Sequence, residues 1–124
     1  MTHLQDLKRE AGYYDLIVTG DLGRYGSELM LELCKKRGVS LDGLHDDCGK
    51  LIFSAEQNVN AGGSGCGCCA CVLNSYILRK MLDGDFQRVL FVATGALMNP
   101  GISQQGESIP SIAHAVCIER EQEA

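Results

Sequence analysis

Four of the chain's seven cysteines stand at positions 66, 68, 69 and 71, in a run of small residues that starts at Ala61 and reads AGGSGCGCCAC. Thiolates at that density could in principle ligate zinc or an iron–sulfur cluster. The spacing argues against it. Zinc sites usually pair CxxC units about a dozen or more residues apart, whereas cysteines crowded at a helix start point all around its axis. The preferred reading is structural, because free cysteine packs as a small hydrophobe against another helix. A thiol such as Cys66 or Cys68 activated at the helix start remains an alternative, although no general base stands near either in the sequence. Gly62, Gly63, Gly65 and Gly67 supply backbone that tolerates positive φ and close approach. The first amides of the helix that follows sit at the positive end of its dipole, where a carboxylate or thioester oxygen is favoured. Gly63, Ser64, Gly65 and Cys66 are therefore candidate ligand contacts.

Two further groups carry chemistry. Asp21 and Arg24 flank the turn after the first predicted strand, at the carboxyl end where open α/β sheets usually bind ligands. The plain alternative places Asp21 beside a helix dipole with no ligand at all. His114 lies between Ala113 and Ala115 in the last predicted strand, so its ring is expected to face the core or a pocket, with a hydrogen-bonded interior imidazole preferred over a ligand contact. His3 and His45 fall in segments read as exposed.

The elements that must position these groups follow from periodicity and punctuation. Thr2 to Ala11 predicts a short amphipathic helix ended by Gly12. Tyr13 to Thr19 predicts a buried strand, and Tyr25 to Arg37 a helix with Leu29, Met30, Leu33 and Cys34 on one face. Strand, glycine turn and helix open a βαβ unit and a largely parallel sheet. Residues 38–50 read as loop, with Leu51 to Ser54 as a short strand or edge segment. The helix after the glycine loop is expected from Cys66 to Met81 or Leu82 and is apolar on most of its circumference, which predicts burial on most of it. Asp83 to Asp85 reads as a turn, Arg88 to Leu97 as a central strand, Asn99 to Ser108 as an excursion loop. Ser111 to Glu119 reads as a last strand followed by a charged tail, paired antiparallel with its predecessor. The interior Gly95, beside Thr94, marks a bulge or close approach.

With 124 residues the chain is one domain's worth, 1–124, with a single core. A net charge of −5 argues against nucleic acid as the main partner. The longest apolar run, Val89 to Ala93, is far short of the roughly 20 residues that cross a bilayer, and the first residues are charged, so a soluble chain without its own export signal is expected. Seven cysteines cannot all pair, and a reducing compartment is the simpler reading.

The blocks YDLIVTGDLGRYGSELM, DDCGKLIF, AGGSGCGCCA, RVLFVATGALMNP and QQGESIPSIAHAVCIE, in that order, resemble the carboxyl-terminal half of the stage V sporulation protein AD family, thiolase-like proteins of the spore. The resemblance spans Tyr14 to Glu119. It implies an α/β thiolase-like half-domain: a mixed, mainly parallel sheet of about four to five strands with a buried central helix, and an amino-terminal half that this chain lacks. It also implies that the catalytic cysteine of condensing enzymes belongs to that absent half. Their histidine after the first strand falls here at Gly20 or Asp21, and their second helper near Gly63 or Ser64, so no catalytic residue is assigned. In the resembling fold Thr94 sits beside the pocket.

The function so implied is non-catalytic: part of dipicolinic acid uptake during sporulation, with dipicolinate or its calcium complex as ligand and no metal or cofactor of the protein's own. For such a dianion Arg24 would attract, and Asp21 would repel unless calcium intervened. The implied partners are other stage V sporulation membrane proteins and the missing half or a second copy, paired through the Cys66–Met81 helix. The implied location is the forespore cytoplasm, peripheral to the spore inner membrane. A thiolase-type acyltransferase half-domain and a cysteine-ligated metal module are the competing readings.

Overall fold

Apolar strand residues are stable only when both faces of their sheet are covered, and the middle of this sheet is built that way. The computed structural model of the chain describes residues 1–121. It contains one four-stranded sheet in the order β2-β1-β3-β4, with β1 at Leu16–Thr19, β2 at His45–Asp47, β3 at Arg88–Ala96 and β4 at Ser111–Glu119. β1 runs parallel to β2 and β3, and β4 runs antiparallel to β3 from Arg88↔Glu119 to Ala96↔Ser111. The chain is thus mixed α/β with a mainly parallel sheet of four strands.

Helix α2, Gly23–Lys36, covers one face. Under it Ile17, Cys34, Leu41 and Leu90 pack around the fully buried Tyr14. The expected apolar face is only half right: Cys34 is buried, but Leu29 and Leu33 are 63% and 58% exposed, and the helix instead turns Gly23 and Ser27 inward. Small residues there let the helix approach its neighbours closely.

The other face is covered by a helical run of three parts: α4 at Cys68–Val72, a π turn at Leu73–Ile77 and α5 at Leu78–Asp83. Cys68, Val72, Ile77 and Met81 point from it into a core shared with Val18, Val89 and Phe91. Their spacing is four, five and four. A regular α-helix would bring Ser75 and Arg79 under Cys68 and Val72, whereas the extra residue of the π turn rephases the run so that Ile77 and Met81 face the sheet. The side chains of Asn74 and Ser75 donate back to the carbonyls of Ala70 and Cys71 at 2.8 and 2.7 Å, local bonding that competes with the regular ladder. The expectation of near-complete burial is corrected here. Cys66, Ala70, Cys71, Asn74 and Tyr76 are exposed, because only one side of the run has a sheet beneath it.

Several boundaries also move. Helix α1 is Thr2–Asp6 and stops where Lys8 takes a left-handed φ of 52°, followed by a 3-10 turn at Ala11–Tyr13. The Tyr13 ring lies 4.2 Å from the Arg9 guanidinium and 4.3 Å from that of Arg88, which fastens this segment beside the start of β3. The segment read as loop holds β2 and, directly after it, α3 at Cys48–Leu51; the expected strand at Leu51 to Ser54 is the end of that helix and a turn. The excursion loop contains α6, Pro100–Gln104, capped by Asn99 Oδ1 at 2.9 Å from the Gly101 N–H. β4 has the bounds read from the sequence and forms one edge of the sheet, with Ile112 and Val116 each 56% exposed. The charged tail falls partly outside the described residues.

Candidate functional site

Two carboxylates organise the carboxyl ends of the parallel strands. Asp47, at the end of β2, is completely buried. Its Oδ1 accepts the N–H groups of Gly23 and Gly49 at 2.8 and 2.9 Å, and its Oδ2 accepts the Leu22 N–H at 2.9 Å and the Thr19 hydroxyl at 2.6 Å. One side chain therefore caps α3, closes the turn into α2 and ties β1 to β2. Four donors to a buried carboxylate offset the cost of taking the charge out of water.

Because the single Thr19 proton goes to Asp47, the imidazole of His45, whose Nε2 lies 3.0 Å from Thr19 Oγ1, must donate to that oxygen. Its Nδ1 is then unprotonated, buried and without a hydrogen-bond partner among the described residues. Burial first, and the nearby Lys50 second, hold His45 below its ordinary pKa, against the pull of Asp47 and Asp46. The expectation of an exposed His45 is corrected: its strand pairs with β1 and draws the ring inward.

Asp21 follows β1. Its backbone N–H donates to Thr94 Oγ1 at 3.0 Å, and Thr94 Oγ1 donates to Asp21 Oδ1 at 2.8 Å. Asp21 Oδ2 accepts from Ser64 Oγ at 3.0 Å and from the Gly65 N–H at 3.1 Å. Partial burial raises this carboxyl's pKa, but the Gly65, Thr94 and Ser64 bonds outweigh it and hold the group below the usual carboxylate range. Gly20 packs so tightly beside this pair that an added Cβ would lie 2.7 Å from Thr94 Oγ1 and 2.8 Å from its nitrogen. Asp21, Ser64 and Thr94 line a cleft of about 740 Å3 with Gly95, Met98 and Ile112.

Four of the eight candidate residues, Asp21, Ser64, Gly65 and Thr94, thus meet at one place. The others do not join them. Gly63 faces away, its N–H donating to the Gly49 carbonyl at 2.7 Å and its Cα against Ile52 and Phe53. Cys66 is exposed beyond the cleft. Arg24 is exposed and lines a separate cavity with Lys50 and Phe53. His114 is exposed on β4 opposite Ala93, neither in the core nor in a pocket, since the α4–α5 run does not extend over the edge strand.

Among the described residues no group of three or more His, Cys, Asp or Glu side chains is arranged to hold a metal. The seven cysteines are free thiols. Cys48 is pushed up to about 12 by burial and by Asp47, Cys68 and Cys69, and burial with Asp21 and Asp47 also raises Cys68. A raised thiol is a poor nucleophile near neutral pH, which is the reverse of the activation considered for Cys68.

The sequence matches stage V sporulation protein AD over residues 1–119. The chain belongs to the stage V sporulation protein AD family. It is 49% identical over 118 residues to stage V sporulation protein AD of Bacillus subtilis (strain 168), covering 95% of this chain and 35% of that relative. The chain accordingly spans about a third of the relative's length. Membership of the stage V sporulation protein AD family places it in sporulation.

The two residues that sequence reasoning missed, Asp47 and His45, had one usable signal. In DDCG an aspartate stands two positions before Gly49, the offset at which an N-cap side chain meets a backbone N–H.

Proposed function

We propose that this chain is the non-catalytic, ligand-binding part of a thiolase-like protein of spore dipicolinate uptake. The observation that supports it best is the meeting of Asp21, Ser64, Gly65 and Thr94 at the carboxyl ends of β1 and β3, where open α/β sheets bind ligands. The side chains that meet there are a carboxylate and two hydroxyls, with neither the imidazole nor the amide that acyl transfer sets against a thioester carbonyl. A cleft of that size accommodates a molecule as small as dipicolinate, free or as its calcium complex.

In this reading the chain works in the forespore, peripheral to the spore inner membrane, with other stage V sporulation membrane proteins. No helix among the described residues is long and apolar enough to cross a membrane. The open side of the α4–α5 run, with Ala70, Cys71 and Tyr76, supports cover by an amino-terminal half or by a second copy across a two-fold axis.

Isothermal calorimetry with dipicolinate, with and without calcium, tests the function. Saturable heat in either condition is expected, and none in both overturns it. Transfer of an acyl group from acyl-coenzyme A to a cysteine, read by intact mass, would support the acyltransferase reading instead. Light scattering tests the pairing: a dimer is expected, and a monomer at every concentration removes it.

A further inference from the structure

Helix α2 covers only part of its side of the sheet. Between α2 and the short α1 an apolar groove of about 500 Å3 runs along the strands, floored by Ile17, Leu90, Val92 and Ala115 and walled by Met30 and Leu4. Leu33, which α2 leaves 58% exposed, belongs to the same lining. The strand hydroxyls that border the groove are already committed. Thr19 gives its proton to Asp47 and Thr94 gives its own to Asp21, so neither has one left for a ligand.

At the amino-terminal ends of the strands the groove meets a second cavity, of about 550 Å3, with which it shares Met1, Leu4, Arg37 and Val39. Lys8, Arg9 and Arg37 line that cavity against one carboxylate, Glu10, in a chain whose net charge is −5. Arg9 is occupied by Glu119 at 3.4 Å and by the Tyr14 hydroxyl at 3.3 Å. Lys8 and Arg37 have no ion-pair partner among the described residues. Arg37 also follows Lys35 and Lys36, and three successive full charges exceed the half-charge of the helix end beside them.

An apolar trough of small-ligand size that opens at one end onto free bases suits a ligand polarised in the same way. A helix about 10 Å across would use up this volume within roughly one turn, which favours a single extended chain over a docked protein segment. From Leu90 to Thr94 the floor is four residue steps, roughly 13 Å at about 3.3 Å each.

We propose that the groove binds a medium-chain fatty acid, with its carboxylate on Arg37 and Lys8 and its tail along β3 towards Thr94. The carboxylate end lies at the opposite ends of the strands from Asp21, and the groove is on the opposite face of the sheet from the α4–α5 run. The inference therefore goes beyond the dipicolinate reading and does not depend on it.

The test is isothermal calorimetry on the whole chain with dodecanoate, octanoate and dodecyltrimethylammonium, each below its micelle concentration. Dodecanoate is expected to bind once per chain. Octanoate, with four fewer methylenes, should bind about two orders of magnitude more weakly, since each buried methylene is worth about fourfold. The cation with the same tail should not saturate. Arg37→Gln is expected to weaken dodecanoate about threefold to fivefold, as for an exposed charge pair, and Ala115→Phe, which fills the floor, by tenfold or more. Ala115→Met, a smaller intrusion, takes its place if circular dichroism shows the phenylalanine variant unfolded. Arg79→Gln, a base outside both cavities, is the control and stays within about twofold of the parent. Absence of saturable dodecanoate binding overturns the proposal. So does equal binding of the cation, or dodecanoate binding that ignores the substitutions at Arg37 and Ala115, because the ligand then lies elsewhere.

Discussion

Asp21 and Thr94, which are 73 positions apart, hold each other by two reciprocal hydrogen bonds: the Asp21 N–H donates to the Thr94 oxygen at 3.0 Å, and that same hydroxyl donates to the Asp21 carboxylate at 2.8 Å. The pair locks the end of β1 to the end of β3, and the second carboxylate oxygen, bound to Ser64 and Gly65, draws the glycine loop onto the same point. Thr94→Val keeps the shape and deletes both bonds. It is expected to lower unfolding free energy by about 1–2 kcal/mol in urea, the range for unpaired polar groups that keep some access to water. The Asp21 carboxyl should then titrate closer to its ordinary 3.8 by carbon NMR. With Thr94 in place, the Asp21 contribution is full above that pH and lost as pH falls through the lower folded value.

Asp47 should be the most sensitive side chain. Asp47→Ala strands three backbone N–H groups and a hydroxyl in the interior, and about 3–5 kcal/mol of destabilisation is expected. Asp47→Asn should recover only part, since its amide nitrogen must face a donor. The urea midpoint measures both, and a shift under about 1 kcal/mol for the alanine variant would contradict the role assigned to this carboxylate.

Stability should also fall in mild acid through His45. Its folded pKa lies below the 6.5 of a free imidazole, so as pH drops through 6.5 the unfolded chain takes up a proton that the folded one refuses. Stability is then complete above that point and declines towards the folded value. Urea midpoints from pH 8 to 5 are expected to show this limb in the parent and a flatter one in His45→Gln.

The π turn yields a contrast within one helix. Deleting Ser75 turns the buried spacing of Cys68, Val72, Ile77 and Met81 into successive steps of four, which a regular α-helix keeps on one broad stripe. The deletion is expected to fold with a midpoint near the parent's. Ile77→Ala, which removes a completely buried side chain, should cost about 2–5 kcal/mol. Circular dichroism and urea melts of the two variants decide it.

Residues whose own chemistry fixed their place were legible in the sequence. Ser111–Glu119 alternates and sits between polar segments, so β4 could be delimited, and the continuous apolar character of Arg88 to Leu97 marked a strand covered on both sides, one residue longer than the Arg88–Ala96 of β3. The bulge or close approach expected at Gly95 is not there, since pairing runs unbroken through Gly95↔Ile112 and an added Cβ would meet only ordinary contact; the tight glycine is Gly20, beside Asp21. What escaped depends on partners far away in the chain. His45–Asp47 has the composition of a loop and becomes a strand only by pairing with Ile17–Thr19 and giving its carboxylate to the turn of α2. The π turn is set by the sheet beneath it, not by helix propensity. His114 was misplaced because alternation says which face a residue takes, not whether anything covers that face at the rim.

The outer strand is also a hazard. Over nine residues β4 has no proline, lysine or arginine, and its one acidic side chain, Glu119, is occupied by Tyr13 and Arg9. Natural proteins blunt such borders with charge, bulges or brevity. Here only brevity protects the opposite border, β2, with its three polar residues. Concentrated or partly unfolded preparations should therefore grow by stacking strand upon strand from the β4 side into thioflavin-positive fibrils, and a lysine in place of Val116 should slow that growth.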